Sequence, residues 1–272
     1  MEFKKIIYEK KDGVATITKT NPPRNGMSRE VLVEMKAALE DARNDDDIRF
    51  IVITAAGDGF HSGAQVLGQV RDEVKDVTPW QLREIVQMGH ELYRMIQNLE
   101  KLVIGVAKGG AGGGGMENLH ACDFVIAAET ATFSQAEATG GLIAGWGGTQ
   151  RLPRIVGWRK AKEMLLTGEV LTGKEAEQFG LITKAVPAER LDEEVQALVE
   201  KLKRGMPEAQ ALTKLAMNKV WEAGLTEGLE YEVEAETITF SCENRLEASK
   251  AREEGRAPVY KQKRITSGPA WR

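Results

Sequence analysis

Cysteine is nearly absent: Cys122 and Cys242 are the only two in 272 residues. They lie far apart and outside any CxxC pair, so neither a disulfide framework nor a zinc cluster is expected. Histidine is as scarce, and His61, His90 and His120 do not fall at metal-ligand spacing, so no metal is assigned. Long apolar runs are missing too. Leu102 to Ala107 stops at Lys108, far short of the roughly 18 residues that span a bilayer, and no membrane partner is expected. Basic charge is not in excess, with 37 Lys and Arg against 41 Asp and Glu for a net charge of −4. The cations are scattered, whereas a nucleic-acid groove needs a concentrated cationic face. The opening MEFKK interleaves acid and base with no apolar block, so no secretory signal is read and a cytoplasmic location is the expectation.

Glycine is abundant: 28 residues against about 19 at average usage. Eleven of them lie between Gly109 and Gly148. Glycine serves where backbone turns sharply or approaches another group closely, so the chemistry is sought in that window.

Along the chain, Ile6 to Thr20 alternates like a hairpin around Asp12-Gly13. Ser28 caps a helix carrying Leu32, Met35, Leu39 and Ala42 at helical spacing. RFIVITA at 49–55 reads as a buried strand. Thr78-Pro79-Trp80-Gln81 opens a helix with a face of Leu82, Ile85, Gly89, Leu92, Ile96 and Leu99. A strand at 102–107, the glycine block, a helix to about Cys122 and a strand at 124–128 follow. Continuous apolar strands alternating with helices predict an α/β class with a mainly parallel sheet. From Ala188 the pattern turns helical, over 191–203, 208–223 and 227–254. Thr237 to Phe240 is too short a β-prone run to count as a strand. The domain reading is a core over 1–187 and a helical C-terminal region over 188–272.

Two chemical readings of the glycine block stay open. Gly110, Gly112 and Gly115 satisfy GxGxxG after a strand and before a helix, with Glu129 where a ribose-binding acid would sit, which is a weak dinucleotide signal. Alternatively, backbone amides of 61–64 and 112–115 converge on one oxygen and stabilise an oxyanion. Local pattern serves equally well if the glycines merely permit close packing. Glu117 and Glu137 lie nearby, but nothing local sets them apart from solvated glutamates.

The segments HSGAQ (61–65), GGAGGGGMENLHACD (109–123), ATFSQAEATGGLIAGWGGTQRLPRIVG (131–157) and LTGEVLTGKEAEQFGLITKAVP (166–187) occur in order and at compatible spacing. Together they resemble the crotonase superfamily, and within it the enoyl-CoA hydratases. The resemblance implies a ββα spiral core with a helical C-terminal region that oligomerises as homotrimers or homohexamers. It implies an acyl-CoA substrate, with coenzyme A entering as part of that substrate and no other cofactor. Matched position by position, Glu117 and Glu137 correspond to the catalytic carboxylates. Ala64 and Gly114 correspond to the oxyanion-hole residues, and Gly63, Gln65, Gly145, Trp146 and Arg24 to substrate-binding positions. The sequence departs from the family pattern at Gln65 (usually Asp), Lys108 (usually Asn), Leu102 (usually Pro) and Trp146 (usually small), and the last narrows or reshapes the acyl pocket or simply packs. The resemblance implies hydration of an enoyl thioester. Isomerisation of the double bond or hydrolysis of a cyclic β-oxoacyl thioester on the same fold, a non-catalytic acyl-CoA-binding protein, and a dinucleotide-dependent enzyme are the alternatives.

Overall fold

The computed structural model describes residues 2–22, 24–61 and 78–261. Its strands are β1 (Ile6–Lys11), β2 (Val14–Lys19), β3 (Phe50–Ala55), β4 (Gly59–His61), β5 (Leu102–Ala107), β6 (Gly110–Gly112), β7 (Phe124–Ala128), β8 (Thr132–Ser134), β9 (Val170–Thr172) and β10 (Lys184–Val186). The helices are α1 (Arg29–Asn44), α2 (Pro79–Asn98), α3 (Gly114–His120), α4 (Gly148–Val156), α5 (Trp158–Thr167), α6 (Gly173–Gln178), α7 (Leu191–Lys203), α8 (Pro207–Lys219), α9 (Leu225–Ser241) and α10 (Glu243–Glu253).

Asp12 and Gly13, at φ 51° and 82°, make the tight turn that joins β1 to β2, the conformation that matches strand twist in two-residue hairpins. From β2 onward the first sheet is parallel, in the order β1-β2-β3-β5-β7-β10. A second sheet runs β4-β6-β8-β9, parallel except for β9. Each winding of the chain therefore gives one strand to each sheet, β3 then β4, β5 then β6, β7 then β8, with α2 and α3 between windings. This is the ββα spiral. The three-residue strands of the second sheet are too short for period-two alternation to reveal them in sequence.

Close contact between the layers accounts for several glycines. A Cβ at Gly109 would fall 1.5 Å from the carbonyl oxygen of Asp58. A Cβ at Gly105 would fall 2.7 Å from Leu119 Cδ2, because α3 lies directly on β5. Helix α1 is capped by the Ser28 hydroxyl, which accepts from Val31 N at 3.4 Å, and buries Val31, Leu32, Met35, Ala38, Leu39 and Ala42. Helix α2 begins with a capping box between Thr78 and Gln81 and buries Gly89, Leu92, Tyr93 and Ile96. Leu82 and Ile85 of its predicted face stay half-buried.

After β10 the chain is helical. Leu191 and Val199 of α7 join the hydrophobic cluster of the first sheet. Two buried cations tie the following segment down. Arg49 donates to the carbonyls of Leu202, Lys203 and Gly205 and to Gln210. Lys214 Nζ lies 2.8 Å from Asp123 Oδ2 and also donates to the carbonyls of Ile96 and Lys101. The single helical stretch expected over 227–254 is broken: Cys242 is extended, with φ −75° and ψ 138°, and separates α9 from α10. No glycine or proline marks that break. Thr237 to Phe240 is helical within α9. Among the described residues no helix is long and apolar enough to cross a membrane.

Candidate active site

The glycine block turns the chain from β6 into α3. Gly113 adopts φ 51° and ψ −126°, a conformation open to glycine, and Gly114 is the first residue of the helix. The first amides of a helix have no acceptor within it. Behind this turn, Gly113 N donates to Ser134 O at 3.2 Å. The Tyr93 hydroxyl from α2 donates to Gly114 O at 2.6 Å.

In the first turn of α3, Glu117 is 2% exposed. Its Oε1 accepts two backbone amides, Trp146 N at 2.7 Å and Gly148 N at 2.8 Å. A Cβ at Gly148 would lie 2.7 Å from Ala144 Cβ and 3.1 Å from that same oxygen, so glycine lets the amide reach the carboxylate. Burial pushes the Glu117 carboxyl up to about 7, the nearby Glu137 adds to the rise, and the two amides and Arg151 oppose it. Near neutrality Glu117 therefore holds or releases a proton readily.

Glu137 precedes a short 3₁₀ turn, Ala138–Gly140. Gln135 donates to Glu137 Oε1 at 2.8 Å and to Gly113 O at 3.2 Å, tying the second carboxylate to the turn that starts α3. Its other oxygen, Oε2, is buried without a hydrogen-bond partner among the described residues. A buried oxygen left in that state invites a polar ligand or a water. Two carboxylates, one held by amides and one with an unsatisfied oxygen, thus flank the start of a helix.

Residues 9–263 match the family described as enoyl-CoA hydratase/isomerase. The chain is 33% identical over 253 residues to the crotonyl-CoA hydratase of Syntrophomonas wolfei, covering 92% of this chain and 95% of that protein. It is likewise 33% identical to the short-chain-enoyl-CoA hydratase of Clostridium acetobutylicum, with the same coverage. The crystal structure of an enoyl-CoA hydratase from Bacillus anthracis superposes with a TM-score of 0.88 at 33% identity, covering 96% of this chain and all of that one. The chain belongs to the enoyl-CoA hydratase/isomerase family.

On this enoyl-CoA hydratase/isomerase fold, the structure brings together Glu117, Glu137, Gly114 and the 145–148 loop. Gly63, Ala64 and Gln65 lie outside the described residues. Arg24 is exposed and lines a cavity of about 530 Å³ with Asp58, His61, Gly112, Thr132 and Ser134. The Trp146 ring is 4% exposed and stands edge-on to Tyr93, with centroids 5.8 Å apart. It covers Gly89 so closely that a Cβ there would meet the indole at 2.3 Å. The residue thus contributes a backbone amide to Glu117 and a packed side chain against α2. Lys108, another departure from the family pattern, faces Asp58 at 3.5 Å on the surface.

The GxGxxG match takes on a different meaning in this family's fold. Gly110 and Gly112 lie in β6, a strand of the second sheet that separates the β5 strand from α3, so the strand–turn–helix context of a dinucleotide site is interrupted. Gly115 makes room for His61, whose Cβ would be 2.5 Å from a side chain there. Glu129 pairs with Lys174 at 2.8 Å.

Three supporting residues escaped sequence reasoning: Tyr93, Gln135 and Arg151. Tyr93 lies four residues after Gly89 on the inner face of α2, and that spacing was a usable signal. Gln135 and Arg151 combine a contact near in sequence with one distant in it, to Gly113 and Gln97 respectively, and the distant half is what periodicity does not report.

Proposed function

We propose that this protein is an enoyl-CoA hydratase, adding water across the α,β double bond of an acyl-CoA thioester in the cytoplasm. The observation that carries the reading is the paired-carboxylate arrangement: Glu117 held by two amides, with its carboxyl raised to about 7 by burial and by Glu137, beside the helix start at Gly114. Two neighbouring carboxylates resist ionising together, and the charge of Glu137 adds to the rise at Glu117. One takes a proton from water as the water oxygen bonds to the β-carbon. The double-bond electrons move toward the thioester carbonyl, and the other carboxyl delivers its proton to the α-carbon. Negative charge grows on the carbonyl oxygen, where the amides of Gly114 and Ala64 stabilise it, each donor contributing on the order of 100 to 1,000-fold in rate. Atoms and charge balance without a metal or a redox group, and coenzyme A enters and leaves as part of the thioester.

In this reading Gly63, Gln65 and Gly145 contact the acyl and pantetheine parts of the substrate, Trp146 borders them through its backbone while its ring packs on Tyr93 and Gly89, and Arg24 meets a coenzyme A phosphate. A trimer or hexamer is part of the same proposal. Helix α9 exposes Leu225, Leu229, Val233 and Phe240, all more than half accessible, an apolar surface that a second copy would cover.

The test is incubation of the purified protein with crotonyl-CoA and a cyclic enoyl-CoA, following the conjugated chromophore and product mass beside Glu117→Gln and Glu137→Gln. Gain of one water, lost in either variant, is the expected result. Migration of the double bond without mass gain, or appearance of a new carboxylate from a ring-opened thioester, would replace hydration by isomerisation or hydrolysis. Tight acyl-CoA binding without turnover would mark a binding protein. Light scattering that gives a monomer would overturn the oligomer.

A further inference from the structure

Arg151, in α4, is a buried cation that makes no ion pair among the described residues. It is 7% exposed. Its Nε donates to Gln97 Oε1 at 2.9 Å and its Nη1 to Trp146 O at 3.0 Å. Gly147, at φ 115°, wraps around the guanidinium so tightly that a Cβ there would lie 2.0 Å from Nη1. Arg151 N closes the wrap by donating to Gly147 O at 2.7 Å. The loop held by this grip is the one that presents Trp146 N and Gly148 N to Glu117. Glu117 and Arg151 therefore grasp one short loop, the first through two of its amides and the second through a carbonyl, and Gln97 of α2 fixes the arginine in turn.

Burial of an arginine without a carboxylate of its own is costly, and such a group persists where its charge and its forked donors have a use. Among the described residues, the charged and titratable groups around Glu117 are few. Glu137 approaches from the turn after β8, Tyr93 from α2, His120 one turn along α3, and Arg151 from α4; His90 and Arg94 of α2 act on Arg151 rather than on Glu117. Among the described residues, Arg151 is the cation that acts on Glu117 directly.

We propose that Arg151 is a positioning residue for Glu117: it holds the 145–148 loop so that two amides stay aimed at the carboxylate, and its charge supports the ionised form reached during turnover. The proposal rests on Glu117 being a reacting group, and its test separates the two ideas. Arg151→Met is expected to lower kcat by about 100-fold with little change in KM, the scale of a misplaced reacting group. It should also move the acid limb of the pH–rate profile upward by about one pH unit. Arg151→Lys keeps the charge without the fork, so its acid limb stays near that of the parent while kcat falls. Gln97→Leu leaves the arginine in place and loosens its grip, giving a smaller fall in kcat and covering the case in which Arg151→Met does not fold. Carbon-13 NMR of labelled glutamate, assigned with Glu117→Gln, follows the Glu117 titration independently of turnover; an upward move in folded Arg151→Met is expected. An unmoved titration and an unchanged profile in folded Arg151→Met, or an unchanged kcat in Gln97→Leu where the former does not fold, would overturn the proposal. Absence of enoyl-CoA turnover by the parent protein, with the NMR titration still moving, would instead overturn the hydratase reading alone.

Discussion

Replacing Glu117 by Gln should stabilise the protein at alkaline pH while disabling it. Burial raises the carboxyl from an ordinary 4.5 to about 7. At about 1.4 kcal/mol for each tenfold change in proton affinity, that displacement corresponds to about 3 kcal/mol. The sign follows from proton counting: between the two values the folded state binds more protons than the unfolded one. Stability from this group is thus full below about pH 4.5, falls as pH rises, and is lost above about pH 7. A glutamine oxygen can accept the same two amides from Trp146 and Gly148 without carrying the charge. Urea unfolding of the parent and of Glu117→Gln at about pH 5 and about pH 8 reads the effect. The advantage of the variant should grow by about 2–3 kcal/mol between the two, while turnover falls on the order of 100 to 10,000-fold. An advantage of equal size at both pH values would refute the reasoning, because the buried carboxyl would then not be the group titrating.

Gly89→Ala normally gains about 1 kcal/mol of helix propensity, but here the Cβ meets the Trp146 ring at 2.3 Å; it should destabilise by about 1–3 kcal/mol and become stabilising in a Trp146→Ala background, a reversal read by a double-mutant cycle in urea. Lys214→Met leaves the part-buried Asp123 carboxylate with its bond from Val103 N but without its 2.8 Å cation and should cost about 1–3 kcal/mol, with part of the loss recovered in Lys214→Met/Asp123→Asn. Lys19 is fully buried, with no hydrogen-bond partner for Nζ among the described residues and the Phe60 ring 3.3 Å away. Burial drives its amine well below the ordinary lysine range, so the unfolded chain binds the extra proton and stability rises with pH toward that range. Lys19→Met should therefore stabilise by about 1–3 kcal/mol at neutral pH, with the gain shrinking toward pH 10 in thermal unfolding.

Local chemistry made several elements legible before any coordinates. The Asp12-Gly13 turn, the Ser28 cap, the Thr78 capping box and the apolar run of β5 each depend on residues within a few positions of one another. They appear where the sequence places them. The family was also legible, because its motifs are spread in order along most of the chain. What tertiary structure alone decided is how distant segments meet at Glu117. Two amides from 29 and 31 residues away hold its carboxylate, Tyr93 braces Gly114 from α2, and Arg151 grips the shared loop. The amide contacts to Glu117 leave no period or spacing in the sequence, although Tyr93 lies on the periodic inner face of α2 and Arg151 only five residues past Trp146. These contacts also set the ionisation of Glu117, since burial and partner geometry, not residue type, determine how tightly a carboxylate holds its proton.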